Sequence, residues 1–325
     1  MPVLLARLIH FSAPWGLHLI SFVFRRLSVA IPTLLTLIVF SFLLMEAAPG
    51  SPFGPDRNVP SEVMARLEAF YGPDRPLLER LSTYVWNVVI AFDFGPSFVF
   101  EDRTVNDVIA QSFPITLSYA IWAFAIAVIV GSGLGIMAAV RHGSWLDYLA
   151  VGISFGARVL PSYIMGPILI LLFALSLGGH SSETPQGGQW SLAILPVIAL
   201  ATYYAATIAR MSRTSMLDVL NSNFIRTARA KGLPEKRIVL RHALKPAMMP
   251  VLGYLGPAFV GLMTGAIAVD VIFSTGGIGQ YFVEAARAHD YAMIVAITIL
   301  MGAVTLSFKL IVDIAFAWID PKFRV

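Results

Sequence analysis

The sequence predicts an all-α polytopic membrane protein with six membrane-crossing helices and a small helical insertion between the first two. Three observations predict this. The 325 residues are 57% hydrophobic and only 13% charged, with a mean hydropathy of +0.77, and soluble domains carry about 25% charged residues. The charge is swept into blocks, leaving six stretches with none: Leu27–Met45, Pro114–Val140, Val159–Leu177, Trp190–Ala209, Pro246–Val269 and Tyr291–Phe308. Each stretch is 18 residues or longer, and about 20 apolar residues cross a hydrocarbon core of roughly 30 Å. The competing architecture, a helical bundle buried in water, does not call for runs of this length.

Residues 1–24 are apolar with breaks at Arg7, His10, Pro14, Trp15, Gly16 and His18, and they run into Arg25-Arg26. They lack the early basic region and small-residue cleavage site of a signal peptide. We read them as an N-terminal extension forming an interfacial helix, with an extra partial span or a disordered arm as alternatives. The first span covers residues 25–47. Residues 48–113 are then long enough to be a small folded element. Within them Ser61–Tyr71 reads as a helix, with Ser61 as N-cap and Gly72 as its left-handed stop. Pro73 and Pro76 interrupt, and Leu77–Val89 continues as a second helix with Leu77, Leu81, Tyr84 and Val88 on one face. Phe94-Gly95-Pro96-Ser97 reads as a turn. Residues 114–325 hold the remaining five spans. Small residues recur four apart at Gly131/Gly135, Gly152/Gly156 and Gly261/Gly265, a spacing that lets helices approach closely in lipid.

Orientation follows from the loops. Between Ala209 and Pro246 lie nine lysines and arginines against two acids, whereas Gly178–Gln189 has no Lys or Arg. The positive-inside rule places the first segment in the cytoplasm and the second outside. Counting spans from there puts both termini in the cytoplasm and residues 48–113 outside, as Arg25-Arg26, Arg141, Lys322 and Arg324 also indicate. This arrangement accounts for the net charge of +4 and the pI near 9.4 without a nucleic-acid partner. The absence of cysteine excludes disulfides, thiol catalysis and Cys-ligated zinc. No Gly-Lys dipeptide occurs, so there is no phosphate-cradling ATPase loop. Of the six histidines none forms a His-Glu-x-x-His set. We assign no catalytic, metal-binding or cofactor-binding residue, and substrate-binding residues are not legible.

The cytoplasmic segment 213–246 carries the most information. Asn221-Ser222-Asn223 offers N-caps, and Phe224–Lys231 reads as a short helix. Gly232 is placed to stop it in the left-handed region, where other residues lose roughly 1–2 kcal/mol. Pro234 suits the first turn of a second helix, with Glu235 at its positive end. That helix sets Arg237, Arg241 and Lys245 on one stripe beside Ile238 and Val239. A helix–Gly–helix elbow of this kind fits a groove in another protein; a basic loop lying on anionic lipid satisfies the same physics equally well.

The run Asn223-Phe224-Ile225-Arg226-Thr227-Ala228-Arg229-Ala230-Lys231-Gly232-Leu233-Pro234, continuing to Arg241-His242-Ala243-Leu244-Lys245-Pro246, resembles the coupling loop of binding-protein-dependent permeases. Ala48-Pro49-Gly50-Ser51-Pro52-Phe53, Asp93-Phe94-Gly95-Pro96-Ser97, Gly277-Ile278-Gly279-Gln280 and Asp320-Pro321-Lys322-Phe323-Arg324 resemble motifs of its peptide-transporting branch, and the resemblance covers about residues 22–325. It implies the type I ABC importer fold and an oligopeptide importer in the bacterial cytoplasmic membrane. The implied partners are a second homologous permease subunit, one or two ABC ATPase subunits that bind ATP and Mg, an external peptide-binding protein, and membrane lipid. The implied ATPase-coupling residues are Arg226, Thr227, Ala228, Lys231, Gly232 and Leu233, and this chain itself is implied to be non-catalytic. Asp270 stands where the branch usually has Glu, Lys309 where it has Asn, and Gly276 where it has Pro. Related importers of dipeptides, nickel or opine-like compounds are alternatives. An ion-coupled secondary transporter fits less well, because such transport needs carboxylates or broken helices near the bilayer midplane. Asp270, Asp313 and Lys309 lie near span ends, where snorkelling, pairing or lining a pore mouth would suit them.

Overall fold

The computed structural model describes residues 15–48, 61–100, 103–176 and 189–319. The readings placed on residues 1–14, 49–53, 178–188 and 320–324 lie outside them. Among the described residues, five helices are long and apolar enough to cross a membrane, and a bent helix pair makes a sixth crossing when it is counted as one span.

Helix α1 runs unbroken over Trp15–Ala47. Residues 15–24 are therefore its first turns rather than a separate element: Trp15–Phe24 holds no proline, Gly16 near the helix start costs only about 1 kcal/mol, and Arg25-Arg26 interrupt the apolar character without interrupting the backbone. Two short helices follow, α2 (Ser61–Tyr71) and α3 (Leu77–Trp86), the latter prolonged by a wider π-type turn over Asn87–Ala91. Gly72 ends α2 at φ +52°, as its position in the sequence suggests. Tyr84 and Val88 are buried, but Leu77 is 45% exposed, so the apolar stripe of α3 is shorter than its sequence pattern.

These outer helices do not form a core of their own. Leu67, Tyr71, Tyr84, Val88 and Phe98 pack with Ile38 and Phe42 of α1 and with residues of the last two helices. Arg80 clamps the end of α1 through two hydrogen bonds of 2.7 Å to the Glu46 carboxylate. The Ser97 hydroxyl donates to the buried carboxylate of Asp290, which also accepts from the Met293 amide at 3.1 Å.

Helix α4 spans Val105–Val140 and starts at a capping box between Thr104 and Asp107. Pro114, the expected start of this span, lies inside the helix. The third charge-free stretch departs most from expectation. It supplies only α6 (Ser162–Ser176), and the crossing also takes in α5 (Trp145–Val159), which carries Asp147 and Arg158 and is bent by 107° from α6. The cause is local: Pro161 disfavours helical backbone at the residue before it, and Leu160 is extended at φ −93°, ψ 107°. Hydropathy alone does not register the bend, because Arg158 reads only as the boundary of the charge-free stretch that follows it.

Helix α7 runs over Gln189–Leu220, and α8 over Asn223–Ala230. Helix α9 runs over Glu235–Phe273, followed by α10 (Ile278–Ala288) and α11 (Tyr291–Ile319). The centre of the bundle is α4, α7 and α9, joined through Ala127, Ile208 and Val251 and through Tyr119, Leu200 and Leu262. The small-residue spacing of α4 serves this junction. A methyl group on Gly131 would meet the Ala205 carbonyl at 2.6 Å, and one on Gly135 would overlap that of Ala209. Gly152 and Gly156 have open space around them instead.

Candidate functional site

The elbow forms at the end of the bundle remote from α2 and α3. Helix α7 continues past its apolar stretch to Leu220, and the Asn221 and Ser222 amides close its last turn onto Leu217 and Val219. Ser222 then begins α8 from extended backbone, but its hydroxyl turns back to the Val219 carbonyl at 2.6 Å and does not cap α8. Helix α8 is short and sharply two-faced. Ile225 and Ala228 are buried with Met216, Ala139, Ile238, Ala243 and Ala247. Phe224, Arg226, Thr227, Arg229, Lys231 and Gly232 are exposed.

The reversal after α8 is fully hydrogen-bonded. Gly232 has φ +75°. Its amide donates to the Arg229 carbonyl at 2.9 Å, and the Leu233 amide donates to that of Ala228 at 3.3 Å. This pair of bonds is the glycine-dependent Schellman stop, and the accompanying apolar contact is supplied by Leu233 beside Ala228. Arg229 spans the turn to Glu235, with Nε to Oε1 at 2.7 Å, and this bond holds the Arg229 guanidinium above its ordinary pKa range. Both groups are exposed, and such pairs contribute about 0–1 kcal/mol.

Of the residues assigned to coupling, Arg226, Thr227, Lys231 and Gly232 are brought together on the outer surface. Ala228 and Leu233 are not. Ala228 is 8% exposed and Leu233 half-buried, so both face the bundle and act by packing and by closing the turn. Arg237, Arg241 and Lys245 all reach solvent.

The second arm, expected as a second helix from Pro234, is continuous with the span expected from Pro246. After Glu235–Arg237 the backbone widens into a π-type turn at Ile238–Ala243, which buries both Ile238 and Ala243, and then continues as Leu244–Phe273. The arm is thus the beginning of a membrane-crossing helix of 39 residues. A displacement at Gly232 has a continuous path into α9.

Two buried acidic clusters were not read from the sequence. Asp270, at the far end of α9, is fully buried. It accepts hydrogen bonds from Thr116 Oγ1 at 2.8 Å, from the hydroxyls of Tyr119 and Thr275, and from the Gly279 amide at 2.9 Å. The carboxylate thereby ties α4 and α9 to the start of α10, and it neither snorkels nor opens to a pore mouth. Gly277 and Gly279 permit this closeness, since a methyl group at either would overlap Asp270 or Ile267. The motif Gly277-Ile278-Gly279-Gln280, separated from Asp270 by one turn, was the available signal. The second cluster lies beside the elbow, where buried Asp147 of α5 binds Arg213 of α7 at 2.6 and 2.8 Å. His142 Nδ1 stands 2.9 Å from the same carboxylate.

Comparison with known proteins adds to this geometry. Residues 131–325 match the family described as binding-protein-dependent transport system inner membrane component. Over 306 residues the chain is 46% identical to the oligopeptide transport system permease protein OppB of Haemophilus influenzae and, equally, to that of Escherichia coli K12, covering 94% of this chain and 100% of each relative. It is 36% identical over 307 residues to the dipeptide transport system permease protein DppB of Bacillus subtilis, covering 94% and 98% of the two chains. Among solved structures, a crystal structure of an amino acid ABC transporter with histidines aligns with 67% of this chain and 94% of its own, at TM-score 0.51 and 15% identity. At that identity the likeness is one of fold.

Proposed function

This chain belongs to the binding-protein-dependent transport system inner membrane components, and from that premise we propose that it forms half of an alternating-access pore for oligopeptides. It is a multi-pass inner-membrane permease subunit of an ABC importer. The identity of 46% to oligopeptide permeases, against 36% to a dipeptide permease, supports oligopeptides as the cargo.

The observation that carries the mechanism is the elbow: an exposed tip at Arg226, Thr227, Lys231 and Gly232, joined without a break to a membrane-crossing helix. ATP and Mg belong to one or two partner ATPase subunits, and this chain hydrolyses no ATP. ATP-driven motion of an ATPase groove moves the tip, the Schellman turn holds tip and arm in one piece, and α9 carries the displacement into the bilayer. A second, homologous permease subunit completes the pore. The cationic elbow and both termini face the cytoplasm, supported by the nine cations between Ala209 and Pro246. Residues 48–113 then face outward, where α2 and α3 receive the peptide-loaded binding protein. Their coupling to Asp290 through Ser97 offers that protein a grip on α11.

The test is reconstitution in vesicles. Uptake of peptide that requires ATP, both permease subunits, the ATPases and the binding protein supports the reading. Uptake driven by an ion gradient without the ATPases overturns it, as does ATP hydrolysis by this chain purified alone.

A further inference from the structure

The charges that bound the apolar stretches of α1 and α11 mark two levels in the bundle. On α1, Arg26 and Glu46 flank the charge-free run; at about 1.5 Å per residue they stand roughly 30 Å apart, the thickness of the hydrocarbon core. On α11, Asp290 precedes the run and Lys309 follows it, about 28 Å away by the same rise. Glu46 and Asp290 belong to the end that carries α2 and α3, through Arg80 and Ser97. Arg25, Arg26 and Lys309 therefore stand together at the opposite boundary, where α1 packs along α11.

There they line a cavity of about 530 Å³. Arg26 is engaged: its guanidinium pairs with Asp313 at 3.3 Å and lies 5.3 Å from the centre of the Phe22 ring. Arg25 and Lys309 are exposed and make no side-chain hydrogen bond or ion pair with any described residue. Among the described residues, three cations thus face one carboxylate. Deeper along the same two helices the walls turn mostly apolar, with Val29, Ala30 and Leu306 beside Thr33, whose hydroxyl is turned onto the Val29 carbonyl.

We propose that this cavity binds the phosphate of an anionic membrane lipid, with Arg25 and Lys309 on the phosphate and the acyl chains against Val29, Ala30 and Leu306. Two uncommitted cations at the level of the lipid phosphates, opening onto apolar side chains, match a molecule with an anionic head and an apolar tail. Basic pockets between membrane helices take such head groups, and each cation near the surface strengthens the attraction. A free phosphate ion would meet the same cations but gain nothing from the apolar wall. Phospholipid phosphates line both faces of a bilayer, so the site does not depend on the direction of transport or on which way the elbow points.

The test uses the full chain, purified in detergent with the subunits that accompany it. Native mass spectrometry follows added phosphatidylglycerol or phosphatidylcholine of matched acyl chains. The wild type is expected to retain phosphatidylglycerol about tenfold better, given two cations acting together. The double variant Arg25→Gln, Lys309→Gln is expected to lose that preference, while Arg25→Lys, Lys309→Arg keeps it. Each single Gln variant is expected to lose part of it, which preserves the test if the double variant does not assemble. Equal retention of the two lipids by the wild type overturns the proposal, as does a preference that survives in the double Gln variant. Displacement of the bound lipid by excess inorganic phosphate overturns it too, and assigns the cations to a soluble anion.

Discussion

Replacing Gly232 by valine isolates the backbone contribution of the elbow. At φ +75° the residue occupies the left-handed region, and nothing lies within 4 Å of a Cβ added there. The penalty is therefore conformational and not a clash within the chain, about 1–2 kcal/mol for a residue with a Cβ. Only that backbone conformation closes the bonds from Gly232 to Arg229 and from Leu233 to Ala228. A cost of 1–2 kcal/mol changes the ratio of turned to opened elbow by about 5–30-fold. Asparagine tolerates the left-handed region far better than valine, so Gly232→Asn is the matched control. The assay is peptide uptake and binding-protein-stimulated ATP hydrolysis by the reconstituted complex, alongside its yield after purification. Gly232→Val is expected to lower both activities about 5–30-fold at unchanged yield, and Gly232→Asn is expected to stay near wild type. Arg226→Ala, which removes one exposed cation, is expected to act in the same direction more mildly. Wild-type uptake by Gly232→Val would refute the coupling role. Equal damage by asparagine and valine would refute the backbone argument and leave side-chain bulk at the tip as the cause.

Three further outcomes follow from the packing and the charge. Asp270→Ala strands the hydroxyls of Thr116, Tyr119 and Thr275 and the Gly279 amide, so the thermal midpoint of the purified complex is expected to fall by an amount reflecting on the order of 3 kcal/mol; an unchanged midpoint contradicts the clamp. Gly135→Val is expected to abolish assembly because the added group overlaps the Ala209 carbonyl, while Gly133→Ala, with nothing within 4 Å, is expected to be silent; size-exclusion profiles read both. Residues 48–113 carry nine acids against five arginines, so binding-protein affinity is expected to weaken as salt shortens the Debye length from about 10 Å at 0.1 M; salt-independent affinity, or crosslinks formed only at the elbow, contradicts external docking.

Much of the elbow was legible because glycine and proline act through their own backbone chemistry. Gly72 and Gly232 both occupy positive φ where their positions between helical patterns demanded it. Other helix stops were silent: α9 and α10 end at Ser274 and His289, also at positive φ, yet neither residue type announces a left-handed stop. Pro161 did carry a signal for the bend between α5 and α6, but its place near the start of the charge-free stretch, three residues after Arg158, let it pass as the beginning of a span. The acidic residues show the same limit. Asp270 was visible as a lone carboxylate in an apolar region, and its four donors come from Thr116, Tyr119, Thr275 and Gly279, of which the first two are about 150 residues away.

Sequence alone determined the membrane class, the number of crossings and the two polar ends of the bundle, because these depend on how far charge is kept from charge along one chain. It also determined the elbow, which is a local consequence of residues 222–235. Tertiary structure decided everything that depends on which face meets which. It turned Ala228 and Leu233 inward, joined the elbow's second arm to α9, and merged the outer helices with the ends of α1, α4, α10 and α11. It enclosed Asp270 in hydroxyls and brought Arg25 beside Lys309. The physical reason is that helical periodicity specifies a stripe but not its partner. In an apolar chain nearly every face is a plausible lipid face, and only contact between distant helices separates buried positions from those that remain open.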